Sequence, residues 1–249
     1  MTMGKQGEIA YLRNWGAEGT AHAVNKPFSD ELCGSFLAEL GALLTLMPAP
    51  PAKLSDMGCG SGWTSIFFAK RGYDVMGLDI AEDMIKHAND NKHRAAIDNV
   101  RFMVGDYEQV KFLGEFNCVV FFDSLHHSVD EKASLRAAYD ALLPGGICIA
   151  SEPGTGHAKN KHTQEAVQKF AVTEKDMPPR KLIKLGKEIG FRKYHVYPHQ
   201  RHLMTIIYQN HCNRKLLNIL FRWDWIRYLI AYILMNVYKG HDGIIVLEK

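Results

Sequence analysis

The chain has 249 residues, of which 47% are hydrophobic and 23% charged, a composition typical of a folded protein rather than a disordered one. A formal net charge of +3 is too small to indicate a nucleic-acid-binding protein, and the five cysteines form no CxxC pair of the kind that holds structural zinc. The N-terminus lacks the apolar segment of a secretory signal, so we expect a cytoplasmic protein of one main domain.

Five short apolar segments in the first two-thirds of the chain predict strands of a parallel sheet that is buried on both faces. These strands are Lys53–Gly58, Tyr73–Asp79, Val100–Gly105, Asn117–Asp123 and Gly146–Glu152. Helical patterns separate them at Trp63–Arg71, Glu82–Ala96 and Glu131–Leu143, and Pro144–Gly146 ends the last of these helices. The alternation predicts an α/β fold with a Rossmann-like, doubly wound and mostly parallel sheet.

The alternation changes after Glu152, where two helical patterns precede two further strands, Phe191–Tyr197 and Gly243–Glu248, which bring the sheet to seven. The segment between these two strands is too long for a loop and predicts a helical insertion. The expected organisation is an N-terminal helical lid at 1–45, a core at 46–198 with 242–249, and an insertion at 199–241 that caps the functional site.

The insertion contains a long apolar stretch, Leu216–Tyr238. Arg222, Asp224 and Arg227 interrupt it, whereas a spanning helix needs about 20 residues with almost no charge, so no transmembrane span is expected. Two interpretations stay open. The stretch either packs on the domain or on a partner chain, or residues 215–239 lie against the inner face of a membrane as an interfacial helix.

The first predicted strand ends in a glycine-rich turn, Asp56–Trp63, with the sequence DMGCGSGW. Glycines at such a turn let a ligand approach the backbone, next to the free N–H groups at the start of the following helix. A dinucleotide site has the spacing G-x-G-x-x-G, which requires glycine where Trp63 stands. The observed spacing, D-x-G-x-G-x-G, therefore argues against a nicotinamide cofactor.

The D-x-G-x-G-x-G turn resembles the first motif of class I S-adenosylmethionine-dependent methyltransferases, and four later segments resemble the motifs that follow it in that family. These segments are Val75–Ile80 (VMGLDI), Gly105–Tyr107 (GDY), Phe121–His127 (FFDSLHH) and Ala141–Pro153 (ALLPGGICIASEP). The resemblance covers about residues 50–155. It implies a methyltransferase that uses S-adenosyl-L-methionine and releases S-adenosyl-L-homocysteine.

The resemblance also implies roles for individual residues. Asp79 would accept the ribose hydroxyls and Asp106 the adenine amino group, although Asp79 could instead cap the next helix. The full set of expected cofactor-binding residues is Tyr11, Trp15, Asp56, Gly58, Cys59, Gly60, Trp63, Asp79, Ile80, Met84, Gly105, Asp106, Tyr107 and Asp123. Ordinary packing is the alternative for Tyr11, Trp15 and Met84, and a surface position is the alternative for Tyr107.

Candidate catalytic residues follow the fourth strand. A hydroxyl acceptor needs a base, for which histidine is suited near neutral pH, whereas an amine needs little beyond alignment. The candidates are His127, His126 and Asp123, with a structural histidine as the alternative. We expect the acceptor pocket between the His126–His127 turn, the loop at His157 and the 199–241 insertion. No group with metal-ligand spacing stands out, so no metal is predicted.

The expected activity is methylation of a small molecule or glycan at a hydroxyl, by a monomer or homodimer. N-methylation of an amine metabolite is the alternative reaction, and a non-catalytic cofactor-binding scaffold is the alternative of another class. A nucleic-acid substrate is disfavoured, because the fourth strand leads into Asp123–His126 (DSLH) rather than an N/D-P-P-Y/F motif.

Overall fold

The computed structural model describes residues 2–208, 223–237 and 240–249. Its centre is a seven-stranded sheet with the strand order β3-β2-β1-β4-β5-β7-β6. The strands are β1 Lys53–Met57, β2 Asp74–Asp79, β3 Val100–Val104, β4 Phe116–Phe122, β5 Leu142–Glu152, β6 Lys193–Tyr197 and β7 Gly243–Glu248. Strands β1 to β5 pair in parallel, and β7 is antiparallel to both β5 and β6. The expected doubly wound, mostly parallel sheet is confirmed.

Helices cover both faces of the sheet. They are α1 Met3–Val24, α2 Cys33–Leu46, α3 Trp63–Arg71, α4 Glu82–Ala95, α5 Glu131–Ala141, α6 Lys161–Phe170, α7 Pro179–Ile189, α8 Gln200–Tyr208 and α9 Asp224–Val237. Along β4, Val119 and Phe121 pack into one apolar cluster, while Cys118, Val120 and Phe122 pack into another. Successive side chains of a strand point to opposite faces, so this continuously apolar strand joins two cores.

The junction between α5 and β5 differs from the sequence-based expectation. The helix ends at Ala141 rather than Leu143, and the strand begins at Leu142 rather than Gly146. Leu142 is fully buried and pairs with Phe116, which explains why the chain enters the sheet so early. The Pro-Gly-Gly segment then lies where the β4–β5 register shifts, as a bulge in the strand rather than a stop before it.

Helix α1 crosses the edge of the sheet that carries the glycine-rich turn. Gly16 has φ +80° and ψ −162°, so the helix kinks there. The Asn91 side-chain amide donates to the Val24 carbonyl at 3.2 Å and to the Ser61 carbonyl at 2.9 Å, which ties the end of α1 to the turn. The helix is thereby held over the region where the motifs converge.

The described part of the 199–241 insertion comprises α8 and α9. Helix α8 packs on α2, and α9 packs on α8. Of the stretch 215–239, for which packing or a membrane surface was expected, residues 215–222 and 238–239 lie outside the described residues. Within the described ranges, no helix is long and apolar enough to cross a membrane.

Candidate cofactor and acceptor site

A cavity of about 340 Å³ lies at the carboxyl ends of β1, β2 and β4, beneath α1. Open α/β sheets bind their ligands at this edge, and the size lies within the range of small-molecule sites. The expected cofactor residues that line it are Tyr11, Trp15, Gly58, Cys59, Gly60, Trp63, Asp79, Ile80, Met84, Tyr107 and Asp123. Asp56, Gly105 and Asp106 are not among the lining residues.

Gly58 and Gly60 have different roles in the glycine-rich turn. Gly58 has φ +81°, and a Cβ there would collide with the side chain of Ser124. Gly60 has φ +52°, but a Cβ on it would meet no protein atom within 4 Å. Gly58 therefore lets the β1 and β4 loops pack closely, whereas Gly60 faces open space that a ligand can occupy.

Asp56 holds the turn from behind. Its Oδ2 accepts hydrogen bonds from the hydroxyls of Thr64 and Ser65, each at 2.6 Å, and the residue is 1% exposed. Burial raises the pKa of this carboxyl above its usual value, against the opposing effect of the two hydroxyls. Asp56 thus joins β1 to the first turn of α3, and its predicted cofactor contact would be indirect.

The contacts of Asp79 are compatible with both expected roles, ribose binding and capping of the next helix. Its Oδ1 accepts from the Ala81 N–H and its Oδ2 from the Gly60 N–H, each at 2.9 Å, so it organises the start of α4 and the glycine turn together. Each oxygen keeps a further lone pair for a hydroxyl donor. Burial raises the pKa of Asp79 to about 6, although the two N–H groups act in the opposite direction.

Ile80, Met84 and Tyr107 provide apolar wall for the cavity. The Tyr107 hydroxyl donates to the Ser124 carbonyl at 2.9 Å, and its ring packs edge-on against Phe121. Tyr107 is therefore a half-buried residue with fixed contacts rather than an isolated surface aromatic.

Asp106 lies outside this wall. It forms an ion pair with Lys5 of α1, which also bonds Glu108 at 2.7 Å. Adenine recognition by Asp106 stays a prediction.

Helix α1 supplies the roof of the cavity. Glu8, Tyr11 and Trp15 all line it, and their spacing of three and four residues places them on one helical face. Tyr11 packs edge-on against Phe170, and burial, with Glu174 and Glu8 nearby, raises its pKa to about 12. Sequence reasoning missed Glu8, although the same spacing that favoured Tyr11 and Trp15 could have identified it.

The carboxylate of Glu152 organises the turn after β4. Its Oε1 accepts the N–H groups of Ser124 and Leu125 at 3.0 and 2.9 Å. Its Oε2 accepts from the His126 N–H at 3.2 Å and contacts His126 Nδ1 at 2.7 Å. Because Glu152 is 1% exposed, this network fixes the orientation of the His126 ring.

His127 lies on the cavity wall. Its Nδ1 is 2.8 Å from the Thr173 carbonyl, which can only accept, so Nδ1 carries a proton and Nε2 has the lone pair in the neutral ring. Glu8 Oε1 lies 3.3 Å from the same Nδ1. Burial alone would lower the pKa of His127, but Glu8, Glu174 and the carbonyl outweigh it and raise the pKa to about 9.

Glu174 brings three histidines together. Its Oε2 lies 2.7 Å from His157 Nε2 and 3.5 Å from His126 Nε2, and its Oε1 lies 4.0 Å from His127 Nδ1. Burial opposes ionisation of Glu174, but the His157 contact and the nearby imidazoles lower its pKa overall. We call His126, His127, His157 and Glu174 the cavity cluster. No motif in the sequence singled out Glu174, which follows α6 in a loop.

Asp123 lines the cavity but is already paired. Its two oxygens accept from the two terminal nitrogens of Arg201, each at 2.9 Å, and the residue has φ +49°. Burial would raise the pKa of Asp123, but Arg201 outweighs it and lowers the pKa to about 2. A carboxylate with such a pKa is a weak base at neutral pH. Arg201 is where the insertion approaches the cavity, although no described residue of 199–241, nor His157, lines it.

Residues 55–146 match the family model described as a methyltransferase domain. Curated relatives include a ubiquinone biosynthesis O-methyltransferase from Psychrobacter arcticus, 27% identical over 54% of this chain and 67% of its own length. A second, the 27-O-demethylrifamycin SV methyltransferase of Amycolatopsis mediterranei, is 36% identical over 38% of this chain and 36% of its own length. The chain therefore spans between about a third and two thirds of the length of these two relatives.

The fold resembles that of phosphoethanolamine N-methyltransferase 2 from Haemonchus contortus, solved with S-adenosyl-L-methionine. The TM-score is 0.66 at 16% identity, over 100% of this chain and 60% of that protein. This likeness concerns the fold alone.

Proposed function

We propose that this chain, which belongs to the class I S-adenosylmethionine-dependent methyltransferases, methylates a hydroxyl group of a small molecule or glycan. The observation that carries the choice of a hydroxyl is the fixed ring of His127 at the cavity wall, with Nδ1 bound to the Thr173 carbonyl. The names of two relatives support a hydroxyl acceptor, because one specifies an O-methyltransferase and the other a 27-O-demethyl substrate.

The described residues fit the cofactor. Gly60 leaves open space for the amino-acid part, and Asp79 retains lone pairs for the two ribose hydroxyls. Ile80, Met84 and Tyr107 would enclose the adenine ring, with α1 above it. When bound, S-adenosyl-L-methionine supplies a methyl group activated by a positively charged sulfur.

The remaining chemistry concerns the acceptor. A hydroxyl oxygen must lose its proton as it forms the new bond to carbon, whereas the pair of electrons of the carbon–sulfur bond leaves with sulfur. Because the pKa of His127 is raised to about 9, most of this imidazole is protonated at neutral pH. In the neutral fraction, Nδ1 is held by the Thr173 carbonyl and Nε2 is the proton acceptor, so the rate of transfer is expected to rise as pH increases towards 9. Asp123 would hold Arg201 at the cavity edge, and His126 would support the turn; both are positioning roles.

The test measures binding and transfer separately. Calorimetry should show that wild type binds S-adenosyl-L-homocysteine and that Gly60→Val does not, because the valine side chain would fill the ligand space. Gly145→Val is the matched control, since Gly145 also has a positive φ of +77° and open surroundings but lies in the β5 bulge. Equal loss in both variants would point to backbone strain instead of the site.

Acceptor choice is tested with labelled cofactor and paired probes that differ only in the accepting atom: phenol against aniline, and methyl glucoside against its 2-amino analogue. We expect label on the hydroxyl member of a pair. Label on the amines alone would contradict the proposal and favour N-methylation.

A further inference from the structure

The strongest unexplained feature is the cavity cluster. One ligand atom each from His126, His127 and Glu174 lies within 4.8 Å of the others. Two histidines and one glutamate form the ligand set of many catalytic zinc and non-haem iron sites, which leave coordination positions open for substrate. The sequence did not suggest this grouping, because Glu174 is remote from the His126–His127 turn.

Each of the three side chains is oriented by a second group. His126 Nδ1 is held by the carboxylate of Glu152 at 2.7 Å, and His127 Nδ1 by the Thr173 carbonyl at 2.8 Å. Glu174 is held by His157 at 2.7 Å. Histidine ligands of metals are oriented in this way, with one ring nitrogen bonded to a carboxylate or carbonyl and the other directed at the ion.

Charge and access favour a cation at the same place. The carboxylates of Glu8, Glu152 and Glu174 converge on the His126–His127 turn, and the Glu174 side chain is only 12% exposed. His127 and Glu174 line the cavity, so the space between them is open to it. A divalent ion would offset part of the negative charge of these three carboxylates.

We propose that His126, His127 and Glu174 bind one divalent transition-metal ion, with an open position that faces the cavity and receives the oxygen of the acceptor. This inference rests on the proposed hydroxyl methylation and alters one part of it. With an ion present, His127 would be a ligand rather than the base, and the ion would lower the pKa of the acceptor hydroxyl. Glu8, which lines the same cavity, is then the group that takes the hydroxyl proton.

The binding test uses the full chain, freed of metals with a chelator and then titrated with Co²⁺ and Zn²⁺. We expect one Co²⁺ per chain with the intense visible absorption of a four- or five-coordinate ion, unlike the weak bands of Co²⁺ in water. Glu174→Gln and His126→Ala should weaken Zn²⁺ binding more than about 10-fold, and Glu152→Gln, which changes an orienting group, about 10- to 100-fold.

His162→Ala is the matched control, because this imidazole is 90% exposed on α6, away from the cavity cluster. Circular dichroism and affinity for S-adenosyl-L-homocysteine verify that each variant is folded. The wild-type Co²⁺ spectrum does not depend on any variant, so a spectrum identical to that of the free ion would overturn the proposal. Undiminished Zn²⁺ affinity in folded Glu174→Gln would do the same.

Activity measurements distinguish the metal site from the hydroxyl methylation on which it rests. Hydroxyl methylation should fall at least about 10-fold in the chelated chain and return with added metal, while cofactor affinity stays within about twofold. Full activity after chelation, without Co²⁺ binding, would remove the metal and leave His127 as the base. Stoichiometric Co²⁺ binding with methyl transfer to amines alone would retain the metal site and remove hydroxyl methylation.

Discussion

Two clusters of glutamate and histidine flank the end of β5, and Glu152 contacts both. Its backbone carbonyl lies 3.1 Å from His199 Nε2 in a buried pair with Glu39, while its side chain lies 2.7 Å from His126 in the cavity cluster. The side chains of His199 and Glu39 are 1% and 0% exposed, against 29% for His127. The same residue types therefore serve in a sealed interior and at an open wall.

The buried pair has no capacity left for a ligand. Glu39 Oε1 bonds the Ser151 hydroxyl at 2.7 Å and contacts His199 Nδ1, and its Oε2 accepts two N–H groups at the start of α8. These contacts use all four lone-pair positions of a carboxylate. At the cavity wall, by contrast, His127 Nε2 has no hydrogen bond within the described ranges. The comparison favours a role in the fold for the sealed pair and agrees with the proposed catalytic role of the open cluster.

The largest effect should follow from the open cluster. His127→Ala should lower kcat by about 10²–10⁴-fold, because it removes the base of the proposed transfer or, with an ion bound, one of its ligands, while the unfolding midpoint changes little. Single-turnover methyl transfer and thermal melts measure the two quantities, with exposed His93→Ala as the control. A variant with full activity and reduced stability would reverse the assignment of this residue.

The sealed pair should show the opposite pattern. Glu39→Ala leaves His199 buried without its partner and should lower the free energy of unfolding by about 3–5 kcal/mol. Urea denaturation checks this, with Glu31→Ala, an exposed position nearby, as the control. Replacing both partners, as in Glu39→Met with His199→Leu, should cost less than the single change; a larger loss in the double variant would contradict a simple buried-pair role.

Variants of Asp79 test whether one buried carboxylate can both support the fold and bind a ligand. Asp79→Ala should weaken cofactor binding about 10- to 150-fold, which corresponds to about 1.5–3 kcal/mol for hydrogen bonds to a charged group. Because the pKa of Asp79 is raised to about 6, wild-type affinity should fall as pH drops through 6 and the carboxylate gains a proton.

Calorimetry between pH 5 and 8 measures this dependence, and Asp79→Ala should lose it. Asp90→Ala, on the exposed part of α4, should retain both affinity and pH dependence. If Asp79→Ala kept the wild-type pH dependence, another group would be responsible.

The smallest effect concerns a third, more exposed set of charges. Glu131 bonds Lys175 and Lys181, and these lysines outweigh partial burial to lower the pKa of Glu131 to about 2. Because the carboxyl pKa is lower in the folded state than in the unfolded chain, the ionised carboxylate stabilises the fold at pH values above the unfolded-state pKa. This stabilisation is lost as pH falls towards 2. Glu131→Gln should therefore cost at most about 1 kcal/mol at pH 7 and less at pH 3, by thermal melts at both values. An equal cost at both would contradict an ionic origin.

Much of the fold could be predicted because its signals are local. The continuously apolar segments predicted β1 to β5 within a few residues, and the glycine spacing distinguished this turn from a dinucleotide site. The miss at the α5–β5 junction arose because Pro-Gly-Gly signals a break in either element, and the pairing of Leu142 with Phe116 decided which.

The sequence by itself determined the α/β class, the seven strands, the methyltransferase motifs and the cofactor, since each depends on residues close together in the chain. Only the tertiary structure decided which side chains share a space. Glu8, Glu174 and the His126–His127 turn come from segments far apart in the chain, and Glu39 meets His199 across a similar distance. Ionisable side chains acquire their roles from burial and from neighbours across the fold, and neither quantity is encoded in local spacing.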